Sequence, residues 1–556
     1  MQHSAWIEAR KLDVVAPGGS RLLSDVSFEV PKGSFVAVIG MSGCGKSTLI
    51  RTLSGLINPQ AGKVHFAGHP VGDVKKQYPL ALGYIPQFGT FHAELNVREI
   101  LEYAVALRLP PTVGHSTRTN WLRHVVELAG IEDLLDQKFS TLSGGEMRRV
   151  ALAEELVGDP AFLLLDELTT GLDVFSDGEI MRWLRDLAHH HGKTILLVTH
   201  GTQHLALCDR VIFLHKGRLV HFGTEESLLR SNNVNSVEEL FGAFSGPAQA
   251  VPPAVPPPGP PCQPEPLQTD RAPNGVRQFP SLLGRQTKLL LRDKAQLALQ
   301  AVLIVTFPLL VAVFALNGLP QVRSVVDESA NILRSLEQKI FYLQSAFEAA
   351  SLVSGLIMFQ VILLTLIGAN NGAREIARER DIIRKELFAG LSPGACVVSK
   401  LFQLLVFSFL QAFWMEWFVK TACGFPGSLM EQFVILFLTT LAMSVTCLAI
   451  SSASPSAERA SLLSIYLVGF QLPLSGAALA LPDWLSGVCR PFVAAYWGWS
   501  GYLRTLGGSR YFRLVGDSTQ THIADYSMAV WALSLHILLG VMVSIFFVNR
   551  LPKSSR

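Results

Sequence analysis

Six long apolar stretches in the second half of the chain, at 297–316, 349–369, 401–419, 433–450, 460–481 and 528–548, constrain its fold more than any other feature. Each approaches or meets the roughly 20 helical residues that cross a bilayer. Composition agrees, with 49% hydrophobic and 16% charged residues and a mean hydropathy of +0.33, against about 25% charged in an average soluble domain. That balance disfavours a wholly soluble protein. The net charge of +3 divides into 25 basic against 29 acidic residues before Ser281 and 22 against 15 from there on, and neither half is basic enough to argue for nucleic acid.

Basic residues give an orientation. Lys288, Arg292 and Lys294 precede the first stretch; Arg374, Arg378, Arg380, Arg384, Lys385 and Lys400 lie between the second and third; Arg550, Lys553 and Arg556 follow the sixth. These segments are expected on the cytoplasmic side. Residues 1–11 hold no apolar core of signal-peptide length, so the first half is expected there too. Arg490, Arg504, Arg510 and Arg513 resist this scheme, because they fall between stretches five and six, which the scheme places outside. Residues 491–506 are themselves fairly apolar, leaving open a seventh crossing or, in better accord with an even count, a helix or re-entrant turn at the outer surface.

The first half reads differently. Short apolar runs at 35–39, 162–165 and 195–198 alternate with helical stretches, the pattern of strands in a parallel sheet. A turn at Lys216-Gly217 between two short apolar runs marks a hairpin. From 247 to 280 there are twelve prolines in 34 residues, which marks an extended linker. The seven cysteines, Cys44, Cys208, Cys262, Cys396, Cys423, Cys447 and Cys489, include no CxxC pair; a reduced compartment suits most of them, while Cys423 and Cys489 fall outside and are open to pairing.

Gly40-Met41-Ser42-Gly43-Cys44-Gly45-Lys46-Ser47 fits G-x-x-x-x-G-K-[ST] and directly follows the apolar run at 35–39, the context a phosphate loop requires. Its glycines let backbone N–H groups wrap phosphates, Lys46 would neutralise β and γ oxygens, and Ser47 would hold Mg²⁺. A hundred residues on, Leu142-Ser143-Gly144-Gly145-Glu146 precedes a helix and is followed by an apolar run ending in Asp166-Glu167.

With these residues the chain resembles ATP-binding cassette (ABC) proteins. The resemblance implies that Asp166 orders Mg²⁺ and that Glu167 polarises the attacking water. It also implies that Gln87, in Tyr84-Ile85-Pro86-Gln87, senses Mg²⁺ and contacts the membrane part, that Thr170-Gly171-Leu172-Asp173 is the D-loop, and that His200 reaches the γ-phosphate. Catalysis is thus expected of Glu167, His200 and Gln87; nucleotide binding of residues 40–47, Ser143, Gly144, Gly145 and Asp173; metal binding of Ser47, Gln87 and Asp166. Two departures stand out. Leu168 replaces a frequent proline, which loosens the expected turn, and no aromatic lies at 15–17, where many cassettes stack adenine. Since the signature serine and glycines contact the nucleotide of the opposite cassette in this family, one intact set per chain implies a dimer around two Mg·ATP. A homodimer is simplest, and a heterodimer stays open.

The charged string 373–386 carries opposite charges three or four residues apart, as in a helix laced with surface ion pairs. Extended through Gly390-Leu391-Ser392-Pro393 to Lys400, it resembles the coupling loop of G-subfamily ABC half-transporters. There too the cassette precedes the spans, residues from Gln278-Phe279 to Arg292-Asp293 resemble the connecting helix, and 475–485 the end of the fifth span. The expected architecture is an α/β P-loop cassette at 1–246, a linker at 247–280, a connecting helix at 281–296, and an all-α six-helix transmembrane domain at 297–556 with its coupling loop at 370–400. Glu416, flanked by Trp414 and Trp417 in span three, is costly at depth unless paired or wet; it either snorkels at the outer interface or meets cargo or a neighbouring helix. Gln360, Asn370, Phe470 and Gln471 complete the candidate substrate pocket, on the resemblance that spans two and five face the dimer axis. His189-His190-His191 cannot share a helix face and reads as a solvated helix end. The expected function is ATP-driven transport, outward, of a hydrophobic or amphiphilic substrate across the cytoplasmic membrane, with the cassette and both termini cytoplasmic. The alternative is a membrane-anchored ATP-driven regulator without cargo of its own.

Overall fold

The structure is a computed structural model that describes residues 5–87, 91–110, 113–169, 174–244, 264, 265, 267, 273–314, 332–477, 481–519 and 521–551. Two compact units divide the chain: Met1–Ser281 with Asp381–Ser392 and Leu551–Arg556, and Leu282–Arg380 with Pro393–Arg550.

The first unit holds two sheets. Strands β1 (Ala5–Val15), β2 (Arg21–Pro31), β4 (Ala61–Phe66) and β5 (His69–Pro70) form an antiparallel sheet in the order β2-β1-β4-β5. Strands β3 (Phe35–Ile39), β6 (Leu82–Ile85), β7 (Phe162–Asp166), β8 (Thr194–Val198), β9 (Arg210–His215) and β10 (Arg218–Gly223) form the second, in the order β10-β9-β3-β8-β7-β6. Its pairs are parallel except the β9–β10 hairpin, whose Lys216-Gly217 turn takes positive φ at both residues, the conformation that matches strand twist. Every residue of β3, β7 and β8 is buried, which is why their sequences are unbroken apolar runs rather than alternating ones. Helices α1 (Lys46–Leu53), α2 (Val97–Arg108) and α3 (Gly144–Leu156) belong to this unit.

Helix α4 (Gly275–Arg292) begins inside the proline-rich segment and includes Pro280, so the expected boundary at 281 moves. One backbone bond is lost at Pro280, but Gln278, Leu282, Arg285 and Gln286 make a buried stripe at helical spacing, and burial of that stripe favours the helix. The expected continuous helix through 296 also breaks: Asp293 accepts from the Gln296 N–H at 3.0 Å and so caps α5 (Lys294–Val313).

The second unit is helical. Among the described residues, five of its helices are long and apolar enough to cross a membrane: α5, residues 340–372 of α6 (Ile332–Gly372), then, beyond α7 (Arg380–Phe388), α8 (Pro393–Cys423), α9 (Leu429–Ala453) and the terminal helix Tyr526–Arg550. The fifth expected span is the 18-residue α10 (Ala457–Leu474), which does not qualify among the described residues because Glu458 and Arg459 occupy its first turn. The apolar 491–506 segment contains α11 (Ala494–Thr505); its twelve residues reach about 18 Å, short of a crossing. The terminal helix is α12.

The expected ion-pair-laced surface helix at 373–386 is also revised. Residues 373–379 are turns, and α7 starts only at Arg380. The acidic side chains Glu375 and Glu379 both reach the buried Lys400, at 3.3 and 2.7 Å, because burying that ammonium requires counter-charges. Cys423 and Cys489 are free thiols.

Helices α6 and α9 approach through glycine. A Cβ at Gly368 would lie 2.6 Å from the Thr440 carbonyl oxygen, and one at Gly372 would lie 2.0 Å from that of Ser444. This is the small-xxx-small spacing that lets membrane helices pack backbone to backbone. Gly372→Val is expected to destabilise the full chain in lipid nanodiscs by about 1–3 kcal/mol through overpacking, read as a lower thermal midpoint. Gly355→Ala, where a Cβ meets nothing within 4 Å, should leave it unchanged; equal midpoints for the two variants would refute this packing.

Candidate active site

The phosphate-loop residues leave β3 at Gly40 and enter α1 at Lys46. Only glycine fits at two of these positions: a Cβ at Gly40 would sit 2.3 Å from the Leu214 carbonyl oxygen, and one at Gly45 2.7 Å from that of Leu22. Lys46 Nζ donates to the carbonyls of Gly40 and Met41, at 2.8 and 3.1 Å, so the loop curls around its own ammonium. Ser42 and Gly43 form an exposed tip, while Cys44 is buried, and burial pushes its thiol up. The α1 N-terminus behind this loop supplies unpaired N–H groups and a positive dipole end, an anion-binding arrangement.

Ser47 Oγ donates to Asp166 Oδ1 at 3.0 Å. Asp166 closes β7, and burial raises its pKa, opposed by the Ser47 hydrogen bond and the Arg51 charge. A hydroxyl, a carboxylate and the Gln87 amide are hard oxygen donors of the kind Mg²⁺ takes.

Glu167 is the focus of the site. Its Oε2 accepts from Gln87 Nε2 at 2.6 Å and its Oε1 lies 3.1 Å from His200 Nε2, so two residues from beyond the ends of β6 and β8 converge on the carboxylate that follows β7. Its φ is +56°, a region costly for a residue with a Cβ, and such strain collects at functional sites. The turn is held by the Glu167 N–H donating to the Val198 carbonyl at 3.0 Å and by Thr169 Oγ1 against Thr199 Oγ1 at 3.1 Å. Leu168 therefore does not loosen it; its side chain is buried.

Ser143 caps α3. Its N–H and Oγ both donate to Glu146 Oε2 at 2.7 Å, and the Glu146 N–H returns to Ser143 Oγ, a reciprocal box. Ser143 and Gly144 are exposed and Gly145 is half-buried. Asp173, with 170–172, lies outside the described residues. His189 bonds Asp209 at 3.0 Å, and Asp209 also accepts from the Phe35 N–H at 2.8 Å. That histidine thus ties its helix end to β3.

Sequence reasoning missed a buried ionic cluster in the same unit. Arg108, at the end of α2, forms a fork with Glu155 at 3.0 and 3.2 Å and reaches Glu154 at 3.5 Å. Lys385 of α7 pairs with Glu154. Two adjacent acids in an otherwise apolar stretch of α3 were the available signal.

Of the candidate pocket residues in the second unit, the structure joins two. Gln360 Nε2 donates to Glu416 Oε2, and Tyr502 OH to Oε1, both at 3.4 Å. Glu416 is wholly buried, so it does not snorkel at an interface; it meets neighbouring helices. Gln471 is also buried and accepts from the Ala495 N–H at 3.0 Å. Asn370 and Phe470 are exposed and stand apart from this group. The buried asparagine is Asn371, which closes a ring of amides with Gln300 and Gln411, each bond 2.8 Å.

Comparison with known proteins gives two family matches. A family model described as ABC transporter matches residues 23–170, and one described as ABC-2 type transporter matches 277–494. An ABC transporter ATP-binding/permease protein of Mycobacterium tuberculosis is 28% identical over 529 residues, 90% of this chain and 57% of that protein, so the chain spans less than two thirds of that relative. Nod factor export ATP-binding protein I of a Rhizobium species is 36% identical over 228 residues, 40% of this chain and 73% of that protein. A solved ATP-binding subunit of an ABC transporter is 26% identical, with a TM-score of 0.38, and covers 43% of this chain and 100% of that one.

Proposed function

The chain belongs to the ABC transporter family, with an ATP-binding cassette and an ABC-2 type membrane domain in one polypeptide, and from this we propose that it acts as half of a dimer that hydrolyses ATP to move a hydrophobic or amphiphilic substrate outward across the cytoplasmic membrane. The observation that carries the reading is the convergence of Gln87 and His200 on Glu167 beside the Ser47–Asp166 pair. Lys46 and the loop N–H groups bind the β- and γ-phosphates. Glu167 accepts a proton from the attacking water, and Gln87 and His200 hold its two oxygens in place for that transfer. Ser47, Asp166 and Gln87 would hold a magnesium ion, which would supply positive charge against the charge that develops on the phosphate.

The exposed Ser143-Gly144 end of α3, together with Gly145 and Asp173, serves the nucleotide of a second, identical chain. For cargo, Phe470 and Asn370 offer exposed groups, whereas Gln360, Glu416 and Gln471 already bond between helices. The membrane helices lie in a lipid bilayer with the cassette and both termini on the cytoplasmic side.

The test is ATP turnover by the purified chain in lipid nanodiscs. Hydrolysis should require a divalent cation and stop on chelation, and the active particle should contain two chains. Turnover that persists in chelator, or an active single chain, would refute the reading. Uptake of a lipophilic probe into inverted vesicles separates a transporter from a regulator that carries nothing.

A further inference from the structure

The loop that leaves β8 carries His200 and is pinned on both sides of it. Before His200, the Thr199 N–H donates to the Val38 carbonyl at 3.2 Å. Thr199 Oγ1, which meets Thr169 in the turn after Glu167, also accepts from the Gly201 N–H at 2.9 Å. A Cβ at Gly201 would lie 3.3 Å from Asp177 Oδ2 and 3.4 Å from Thr199 Oγ1, so the backbone beyond His200 runs close against the helix Val174–His189. One residue later, Thr202 Oγ1 donates to Glu238 Oε1, a bond that joins positions 36 residues apart.

Glu238 belongs to the helix Val237–Phe244, whose place is fixed without help from Thr202. Val237 and Leu240 are buried. The rings of Phe241 and Phe244 lie 6.1 and 5.2 Å from that of Phe213 in β9, and Phe244 also lies 5.1 Å from His215, contacts that add to the area they bury. At the start of the helix, Ser236 Oγ accepts from the Glu239 N–H at 3.2 Å and Glu239 Oε2 from the Asn235 N–H at 2.8 Å, so side chains satisfy the first turn. Glu238, between these capping residues, faces the His200 loop. Hydrogen bonds from Thr202, from its own N–H and from Ser236 hold its carboxyl below the usual range, and a bond to an ionised acceptor is roughly twice as strong as one between neutral groups.

We propose that Glu238 is a positioning residue for hydrolysis. Holding Thr202, it fixes the loop beyond His200, and the helix Val237–Phe244 thereby sets where the imidazole stands against Glu167, 3.1 Å away. It acts through the loop and not on the reacting atoms. This rests on the ATP-driven reading above. Its consequence is that whatever draws this helix off β9 slows hydrolysis while leaving the phosphate loop intact, which makes this edge of the cassette a place where turnover can be regulated.

ATP turnover by the full chain in lipid nanodiscs tests it. Glu238→Ala and Thr202→Val should each lower kcat about 3–10-fold, less than the roughly hundredfold that a 1 Å misplacement costs, with KM for ATP unchanged. The double variant should be no slower than either single one, because both remove the same bond. Thr202→Ser keeps a hydroxyl and should recover most of the rate lost in Thr202→Val. In a His200→Ala background, Glu238→Ala should have no further effect, since no imidazole is left to place. Hydrogen exchange gives a second reading that needs no turnover: peptides covering 199–203 should exchange faster in Glu238→Ala and Thr202→Val, and peptides covering 40–47 should not. Parent-like turnover and exchange in Glu238→Ala would overturn the proposal, and so would an equal loss in the His200→Ala background, which would place the effect outside the imidazole. A parent chain that hydrolyses no ATP would overturn the ATP-driven reading and the catalytic role of Glu238 with it, an outcome distinct from an active parent that Glu238→Ala leaves untouched.

Discussion

Glu167→Gln is expected to lower ATP turnover by about 10²–10⁴-fold, the range contributed by a positioned general base, while nucleotide binding persists. The substitution keeps shape and leaves an oxygen to accept from Gln87 or His200, which now meet at this carboxylate, but removes the group that takes the proton. Single-turnover hydrolysis and a nucleotide-binding assay on the same nanodisc sample separate the two effects. His200→Ala and Gln87→Ala should fall between parent and Glu167→Gln, since each removes one of two hydrogen bonds that hold the base. Equal turnover by Glu167→Gln and the parent would exclude Glu167 as the base.

The second large effect is on stability. Arg108→Met should destabilise the cassette unit by about 3–5 kcal/mol, because removing one partner of a buried ionic cluster leaves uncompensated charge. Here two carboxylates, Glu154 and Glu155, are 10% and 5% exposed at the side chain, and Lys385 pairs with Glu154 as well. Thermal unfolding of the full chain, followed by the exchange protection of α2 and α3, measures the loss. The combined variant Arg108→Met, Glu154→Leu, Glu155→Leu should regain much of it, since an apolar replacement of a whole cluster is often neutral. An Arg108→Met protein that melts with the parent would show that water reaches the cluster and that its burial has been overstated.

Much of the site could be read before any coordinates. Gln87, Glu167 and His200 follow the ends of short strands, Asp166 closes one, and Lys46 and Ser47 open the helix after the loop that leaves β3; a parallel sheet brings the C-terminal ends of such strands to one edge. The residues are far apart in sequence yet adjacent in space because β6, β7, β8 and β3 are neighbours. Charged residues in 373–386 were harder. Periodicity reports which side chains share a helix face, but Glu375, Glu379 and Lys385 found partners in Lys400 and Glu154 instead, at sequence distances no local pattern encodes. The same holds for Glu416, whose depth made it costly by sequence and whose partners, Gln360 and Tyr502, only helix packing could supply.

The apolar run lengths, the proline-rich break and the phosphate-loop spacing by themselves determined that this chain has an α/β nucleotide-binding half and a helical membrane half, because backbone hydrogen bonding and burial period are local properties. Tertiary structure decided what the polar residues of the second half do. Gln278, Asn371, Arg384 and Glu416 each look like an ordinary polar residue in a helix or loop, and each is fixed by partners 40 or more residues away. A buried polar group must be satisfied somewhere, but the sequence states only the requirement, and the packing of helices chooses the partner.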